Sequence, residues 1–437
     1  MGGRDTTRRA SRAARPGSGP PSLWADSNYR LFLALQGLSA LGDSFSHVAI
    51  PLLVLHRTGS VAQMGLVTAL TGLASIVTGL FAGVVADRLD RRRLLMATDV
   101  ARCVLLGSVP LVWLFATPIW LVYAVVPLAA AFGMLFQVTY VTVVPAIVPQ
   151  GQILKANSHL FGTYAVASAG GPMLAGLVAA GFGPAAALGI DAVTFAVSAV
   201  GILFVRVRAA PSPERGPAER AGVRGEFAAG ARFLWRHPVL RPLTVLLTLV
   251  IFLTYGLTDL VVFRVKEELG HGDSTVGYVL TAATLGTLAA AAVVDRVRKR
   301  LGFGVVWVGV HIAAGAAVAA LGLTGSVPAV GALAAAVLFC TGMAGMNSLS
   351  LRQEVTPGHL LGRVTSAFWT LHNALGPAGA AAVTAAAGTW GVAPVCLTVG
   401  AALVAIALAA TRTGVGRSRV GRDPGAGRAV EPGPSGA

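Results

Sequence analysis

The sequence predicts an all-α membrane protein with twelve transmembrane helices in two pseudo-symmetric six-helix bundles. Three observations carry that prediction. Hydrophobic residues make up 55% of the 437-residue chain and charged ones only 12%, about half the charged share of a soluble domain. Apolar runs long enough to cross a bilayer recur along the chain, with short polar breaks between them. The landmarks of the first half then return in the second at a nearly constant spacing.

Taken in order, residues 1–28 are rich in Arg, Ser, Gly and Pro and read as a disordered cytoplasmic tail. Arg8-Arg9 does not read as a twin-arginine export signal, because the apolar run behind it is too long and carries Gly42-Asp43-Ser44 at its middle. Apolar runs near 31–55, 62–86, 94–116, 119–144, 154–181 and 184–206 form the N-terminal bundle, 29–206. The segment 207–238 holds Pro211, Pro213 and Pro217 and reads as a cytoplasmic linker. Near its end Phe227, Ala231 and Leu234 share one helical face, the pattern of an interfacial helix. The C-terminal bundle, 239–412, has runs near 240–262, 274–294, 304–324, 328–350, 361–387 and 390–411, and 413–437 is a second tail. Every run is read as helical, since an open strand edge cannot satisfy its backbone in lipid.

The basic residues orient this array. With both termini in the cytoplasm, the inner loops are 87–93, 145–155, 207–238, 295–303 and 351–363, and with the tails they hold nearly all of the Lys and Arg. The opposite side keeps only Arg57, Arg264 and Lys266. Lys and Arg resist translocation, so this segregation supports an even count of spans in a cell membrane. The net charge of +16 therefore implies topology and contact with anionic membrane lipids, and no nucleic-acid partner. Cys103, Cys340 and Cys396 lie far apart inside apolar runs and form neither a metal spacing nor a disulfide framework. No phosphate-binding Gly-x-x-x-x-Gly-Lys-Ser/Thr loop occurs, so ATP is not expected as the direct energy source. No cofactor, metal or enzymatic activity is expected.

The internal repeat is explicit. Asp87-Arg88 followed by Arg91-Arg92-Arg93 returns 208 residues later as Asp295-Arg296 followed by Arg298-Lys299-Arg300. Pro149 and Leu154 correspond to Pro357 and Leu361, and Gly171-Pro172 to Gly376-Pro377. Duplicated bundles of this kind are the architecture of secondary transporters, with the substrate site near midplane between the halves.

The loop Gly83-x-x-x-Asp87-Arg88-x-Asp90-Arg91-Arg92 resembles the signature of the major facilitator superfamily. Gly171-Pro172-x-x-Ala175-Gly176, Asp191-Ala-Val-Thr-Phe195 and Arg352-Gln353-x-x-Thr356-Pro357 are together similar to its branch of enterobactin exporters and macrolide-efflux proteins. That resemblance spans 29–412 and implies the major facilitator fold. The Gly-Pro element resembles the antiporter motif of proton-coupled drug exporters, with Ala175 in place of one glycine. One departure stands out. Such exporters often carry an arginine in the fourth span, whereas here that span has no charge and Gln137 is its most polar deep member.

An ionisable group at the bilayer centre costs about 2.5–3.5 kcal/mol on insertion scales, so each asks for a reason. Asp43 is the leading candidate for proton coupling, with His47 one turn on as a possible hydrogen-bond partner; a structural bond to Ser44 or Ser46 is the alternative. Asp259 is a second coupling candidate, or else the partner of Arg264. Phe45, Phe136, Gln137, Tyr140, Tyr255, Trp369, His372 and Asn373 are candidates to line a substrate cavity, with ordinary packing as the alternative. Gly83, Asp87, Arg88, Arg91, Arg92, Asp295 and Arg296 are expected at the gating loops, where Asp87 would latch to the other half when the far side is open. Asp99 and Arg102 are expected as a local ion pair linked to those loops. Asp191 and His311 read as structural, and Glu354 as part of the second half's inner network. Gly171, Pro172, Gly176, Gly376 and Pro377 are expected to kink the fifth and eleventh spans.

The expectation is a monomeric secondary active transporter, bacterial in source. It would export a small amphipathic compound (drug, macrolide-like or siderophore-like) by proton antiport. A proton-coupled importer of the same fold is the nearer alternative, and a non-transporting membrane sensor the farther one.

Overall fold

A computed structural model describes residues 23–149, 152–207, 223–357 and 360–418. The first six spans are α1 (Ser27–Thr58), α2 (Val61–Arg88), α3 (Arg91–Trp113), α4 (Ile119–Ile147), α5 (Ile153–Phe182) and α6 (Pro184–Ile202). A linker helix, α7 (Val223–Arg236), leads to a seventh span built from α8 (Leu240–Thr254), α9 (Leu257–Phe263) and a π-helical turn (Arg264–Glu268). Then come α10 (Asp273–Leu301), α11 (Phe303–Leu323), α12 (Val327–Val355), α13 (Leu361–Asn373), α14 (Gly376–Trp390), α15 (Val392–Thr411) and the short α16 (Gly414–Arg417).

Eleven of these stretches are long and apolar enough to cross a membrane. The twelfth crossing is α13 and α14 together, interrupted directly before Gly376-Pro377. Proline at the first turn of a helix loses no hydrogen bond that would otherwise form, so the chain restarts there. In the fifth span, by contrast, Pro172 lies within the unbroken α5. The two halves also turn alike. Gly183 (φ 84°) joins α5 to α6 and Gly391 (φ 85°), 208 residues later, joins α14 to α15. One glycine in the left-handed region makes each reversal where a side chain would be strained. Exposed apolar side chains such as Val104, Leu111, Phe182 and Val193 lie on outward faces, as lipid contact requires.

The halves meet along α2–α14 and α5–α10. Close approaches lie on the side opposite the arginine loops: Gly176 against Gly277 and Asp273, Gly65 against Thr384, and Gly72 against Tyr255 and Pro377. On that side His56 of α1 also reaches Asp273 of α10 at 3.2 Å, and Lys266 pairs with the same carboxylate. The bundle is thus sealed on the far side.

The linker helix docks on the second half, as its pattern implies. Leu234 is buried, with Phe227 and Ala231 packed beside it against Val364 and Phe368 of α13, while Trp235 stays half exposed. His237 follows as a cap, its Nδ1 accepting the backbone N–H of Val239 and of Leu240 at 3.2 Å each. Before α1, Leu23–Ala25 forms a 3-10 turn, with Leu23 buried and the Trp24 ring tilted against His159, centroids 4.9 Å apart. The rest of the two expected tails, and 208–222 of the linker, lie outside the described residues.

Candidate functional site

A cavity of about 1300 Å³ lies between the halves. Helices α1, α4 and α5 line it on one side and α9, α10 and α12 on the other. It reaches Pro145 and Ile153, at the ends of α4 and α5 nearest the arginine loops. Most of its wall is apolar, and its volume exceeds the roughly 300–1,000 Å³ usual for small-molecule pockets.

Its charged feature is on α1 and α3. Asp43 Oδ1 accepts a hydrogen bond from Arg102 Nη2, and both side chains line the cavity. The guanidinium carbon lies over the Phe195 ring of α6, 3.7 Å from its centroid. It also lies beside α4, 3.6 Å from where a side chain on Gly133 would begin. The third span therefore supplies, across a glycine, the cation that the fourth lacks. The expected local pair of Asp99 with Arg102 does not form. One helical turn separates the two residues, but Arg102 reaches across to α1, and Asp99 is fully buried beside Ser198 with neither oxygen in hydrogen-bond range. Arg102 is thus a cavity residue, where the sequence suggested the gating loop.

Behind the pair sits a second buried carboxylate. Asp191 of α6 accepts hydrogen bonds from Ser46 and from Thr194 (3.3 Å), and it is fully buried. Ser46 thus belongs to Asp191, and Ser44 donates to the Ala40 and Ala167 carbonyls, so neither is a partner of Asp43. Asp43, Asp99 and Asp191 converge on one guanidinium where α1, α3 and α6 cross. Three acids thus face one base in this corner of the bundle, two of them fully buried and Asp43 at the cavity wall. His47 is exposed to the cavity, and no hydrogen bond joins it to Asp43 among the described residues.

The other candidates divide. Phe136, Gln137 and Tyr140 line the cavity, with Phe136 and Tyr140 stacked 6.4 Å apart. Phe45 is buried in the apolar core instead, because its position on α1 faces away from the opening. Tyr255 packs on Gly72 and Gly376 at the seal between the halves. Trp369, His372 and Asn373 do not line the cavity; Trp369 and His372 gather on α13 near Arg352, and Asn373 donates to the Trp369 carbonyl at 2.9 Å. Asp259 is buried beside Thr68 of α2, at the junction of the halves. Its expected partner Arg264 turns instead to Glu268 and to the Thr324 carbonyl (2.7 Å). His311 is buried, its Nδ1 bonded to the Trp307 carbonyl of its own helix at 2.7 Å.

The signature loop proves partly architectural. Asp90 caps α3, accepting the Arg93 N–H at 2.8 Å. Arg92 donates to the carbonyls of Ile202 (3.0 Å) and Leu203, closing the C-terminal end of α6. Gly83 and Arg88 are exposed, and the Asp87 side chain, with its expected latch, lies outside the described ones. In the second half, Asp295 pairs with Lys299 (2.7 Å), Arg296 is exposed, and Arg298 binds Glu354 (2.7 Å) across α10 and α12. Gly171 and Gly176 serve contact: a methyl on Gly171 would collide with Ser44 of α1, and Gly176 abuts α10.

Sequence and fold comparisons agree with this geometry. The chain is 28% identical over 358 residues to the multidrug efflux pump Tap of Mycolicibacterium fortuitum, covering 80% of this chain and 86% of that one. It is 25% identical over 365 residues to the enterobactin exporter EntS of Escherichia coli O6:K15:H31, covering 80% and 82%. The nucleoside transporter NupG superposes with a TM-score of 0.71 at 13% identity, over 89% of this chain and 99% of that one. Residues 32–381 match the Major Facilitator Superfamily profile. With that match, the duplicated bundles and the central cavity, the chain belongs to the Major Facilitator Superfamily and is a multi-pass membrane transporter.

Proposed function

We propose that this transporter exports a small amphipathic compound in exchange for protons, with both termini and the arginine loops in the cytoplasm. The observation that carries the reading is the Asp43–Arg102 pair in the cavity wall, backed by Asp191 and Asp99. With the far side sealed, the cavity opens toward the cytoplasm, and ionised Asp43 offers its charge to an entering substrate. When the bundle opens outward, a proton taken from outside neutralises Asp43 and loosens Arg102. The guanidinium then turns to Asp191 or Asp99, and the substrate leaves. Return to the inward state releases the proton to the cytoplasm.

Alternating access of this kind moves two solutes in opposite directions because one cluster cannot hold both at once. Export is favoured over import by the relatives named as efflux pump and exporter. The test is uptake of a fluorescent cationic dye into everted vesicles with an imposed pH gradient. Wild type should accumulate dye until the gradient is collapsed. Asp43→Asn should insert normally, yet bind the cationic dye more weakly and lose gradient-driven accumulation. Accumulation indifferent to the gradient, or wild-type coupling in that variant, would overturn the reading.

A further inference from the structure

The second half carries a cation that nothing in the proton-coupling cluster uses. Arg352 of α12 is 2% exposed. Its Nε has no hydrogen-bond partner, and no carboxylate among the described residues pairs with it; the nearby Glu354 is taken by Arg298. The guanidinium carbon lies 3.6 Å from the Phe368 ring centroid and 5.8 Å from that of Trp369. His372 stacks on Phe368 at 5.3 Å and meets Trp369 edge-on at 5.6 Å. A buried guanidinium gains from aromatic faces, but its in-plane N–H groups still call for an acceptor. The Arg352 Nε is a buried donor left without an acceptor, and the aromatic cluster around it marks a place left for one.

The position of Arg352 on α12 says where that place opens. Leu338 lines the central cavity. Gly345, seven residues on, faces open space, and Arg352 follows after another seven. A seven-residue step drifts only about 20° around a helix, so the three form one stripe running from the cavity toward the arginine loops. Trp369, 48% exposed, is the more exposed aromatic neighbour of the guanidinium. The first half has no counterpart, since the equivalent position, 208 residues earlier, is Val144.

We propose that Arg352, Trp369 and His372 form a vestibule site for an amphipathic organic anion, whose carboxylate or phosphate meets Arg352 while its planar part stacks on Trp369. The site lies on the path between the arginine-loop side and the central cavity and is separate from the Asp43 cluster. A free organic anion and an anionic lipid headgroup offer the same chemistry, and the test separates them.

The test uses purified full-length protein in phosphatidylcholine nanodiscs, without a pH gradient, so it is independent of proton coupling. Binding of 2-naphthoate and of its neutral analogue 2-naphthamide is measured by calorimetry. Wild type should bind the carboxylate at least about tenfold more tightly than the amide, as one charge-assisted contact implies. Arg352→Gln should erase that preference. Trp369→Ala keeps the buried charge and the Phe368 platform, so it guards against a folding defect; it should weaken both ligands and leave their ratio. Adding phosphatidylglycerol to the discs tells the sources apart. If it weakens naphthoate binding in wild type and raises the thermal stability of wild type but not of Arg352→Gln, the natural occupant is a lipid headgroup. If it does neither, the occupant is a free anion. Equal affinity of wild type for naphthoate and naphthamide, or an undiminished preference in Arg352→Gln, would overturn the proposal.

Discussion

Gly176→Ala tests whether the contact between the halves sets the resting conformation. Gly176 and Gly277 bring α5 and α10 together with no side chain between them. A methyl on Gly176 would stand 2.7 Å from Gly277 Cα and 2.8 Å from the Asp273 carbonyl oxygen, both backbone atoms. Carbon contacts relax only at about 3.5–4 Å, so the helices must part by roughly 1 Å. Overpacking of this kind costs about 1–3 kcal/mol. Only the conformation sealed on the far side meets that cost, because opening there separates the two helices. The balance should therefore shift toward the far-open state by about 5- to 150-fold. The intrinsic gain of replacing a helical glycine by alanine, about 0.5–1 kcal/mol, applies to both states and cancels. Gly170→Ala on the same helix is the control, since nothing lies within 4 Å of its added methyl. The assay is pulsed electron spin resonance between labels on Thr117→Cys and Glu267→Cys, exposed positions of the two halves on the far side. Gly176→Ala should lengthen that distance distribution and Gly170→Ala should not. Identical distributions for the two variants would refute the argument.

Two further predictions concern the frame around the site. Arg92→Ala removes donors from two carbonyls at the end of α6; thermal unfolding should show a loss of about 1–2 kcal/mol, with span orientation unchanged. His237 accepts two backbone N–H groups at its Nδ1, and burial holds its pKa below the ordinary imidazole value. The unfolded chain therefore binds the proton more readily, so this contribution is fully present above about pH 6.5 and is lost as pH falls through and below that value. Thermal stability of the wild type should drop more steeply from pH 7 to pH 5 than that of His237→Gln. Parallel profiles would remove His237 from the linker's pH dependence.

The sequence states some of this architecture directly and hides the rest for a physical reason. Span positions are local, because twenty apolar residues carry their own signal whatever they pack against. The repeat is legible for the same reason, and the structure extends it to Gly183 and Gly391, whose turns need only local backbone freedom. The break before Gly376-Pro377 is not local in this sense, since the matching Gly171-Pro172 sits in an unbroken helix. Partnerships across spans are a different kind of fact. Asp99 and Arg102 are one turn apart and so look paired, yet the sequence contains no measure of how far a guanidinium reaches across a bundle. The structure gives Arg102 to Asp43, 59 residues away, and Ser46 to Asp191, 145 away. One clue was available. The absence of an arginine from the fourth span, together with Gly133 in it, left a gap that a long cation from a neighbouring span could fill. Arg352 is the converse case. Beside Glu354 in the sequence it looks compensated, but residues two apart on a helix point away from one another, and Glu354 binds Arg298. A charge count along a span therefore bounds how many ionisable groups need a partner, and only the packing says which of them still lack one.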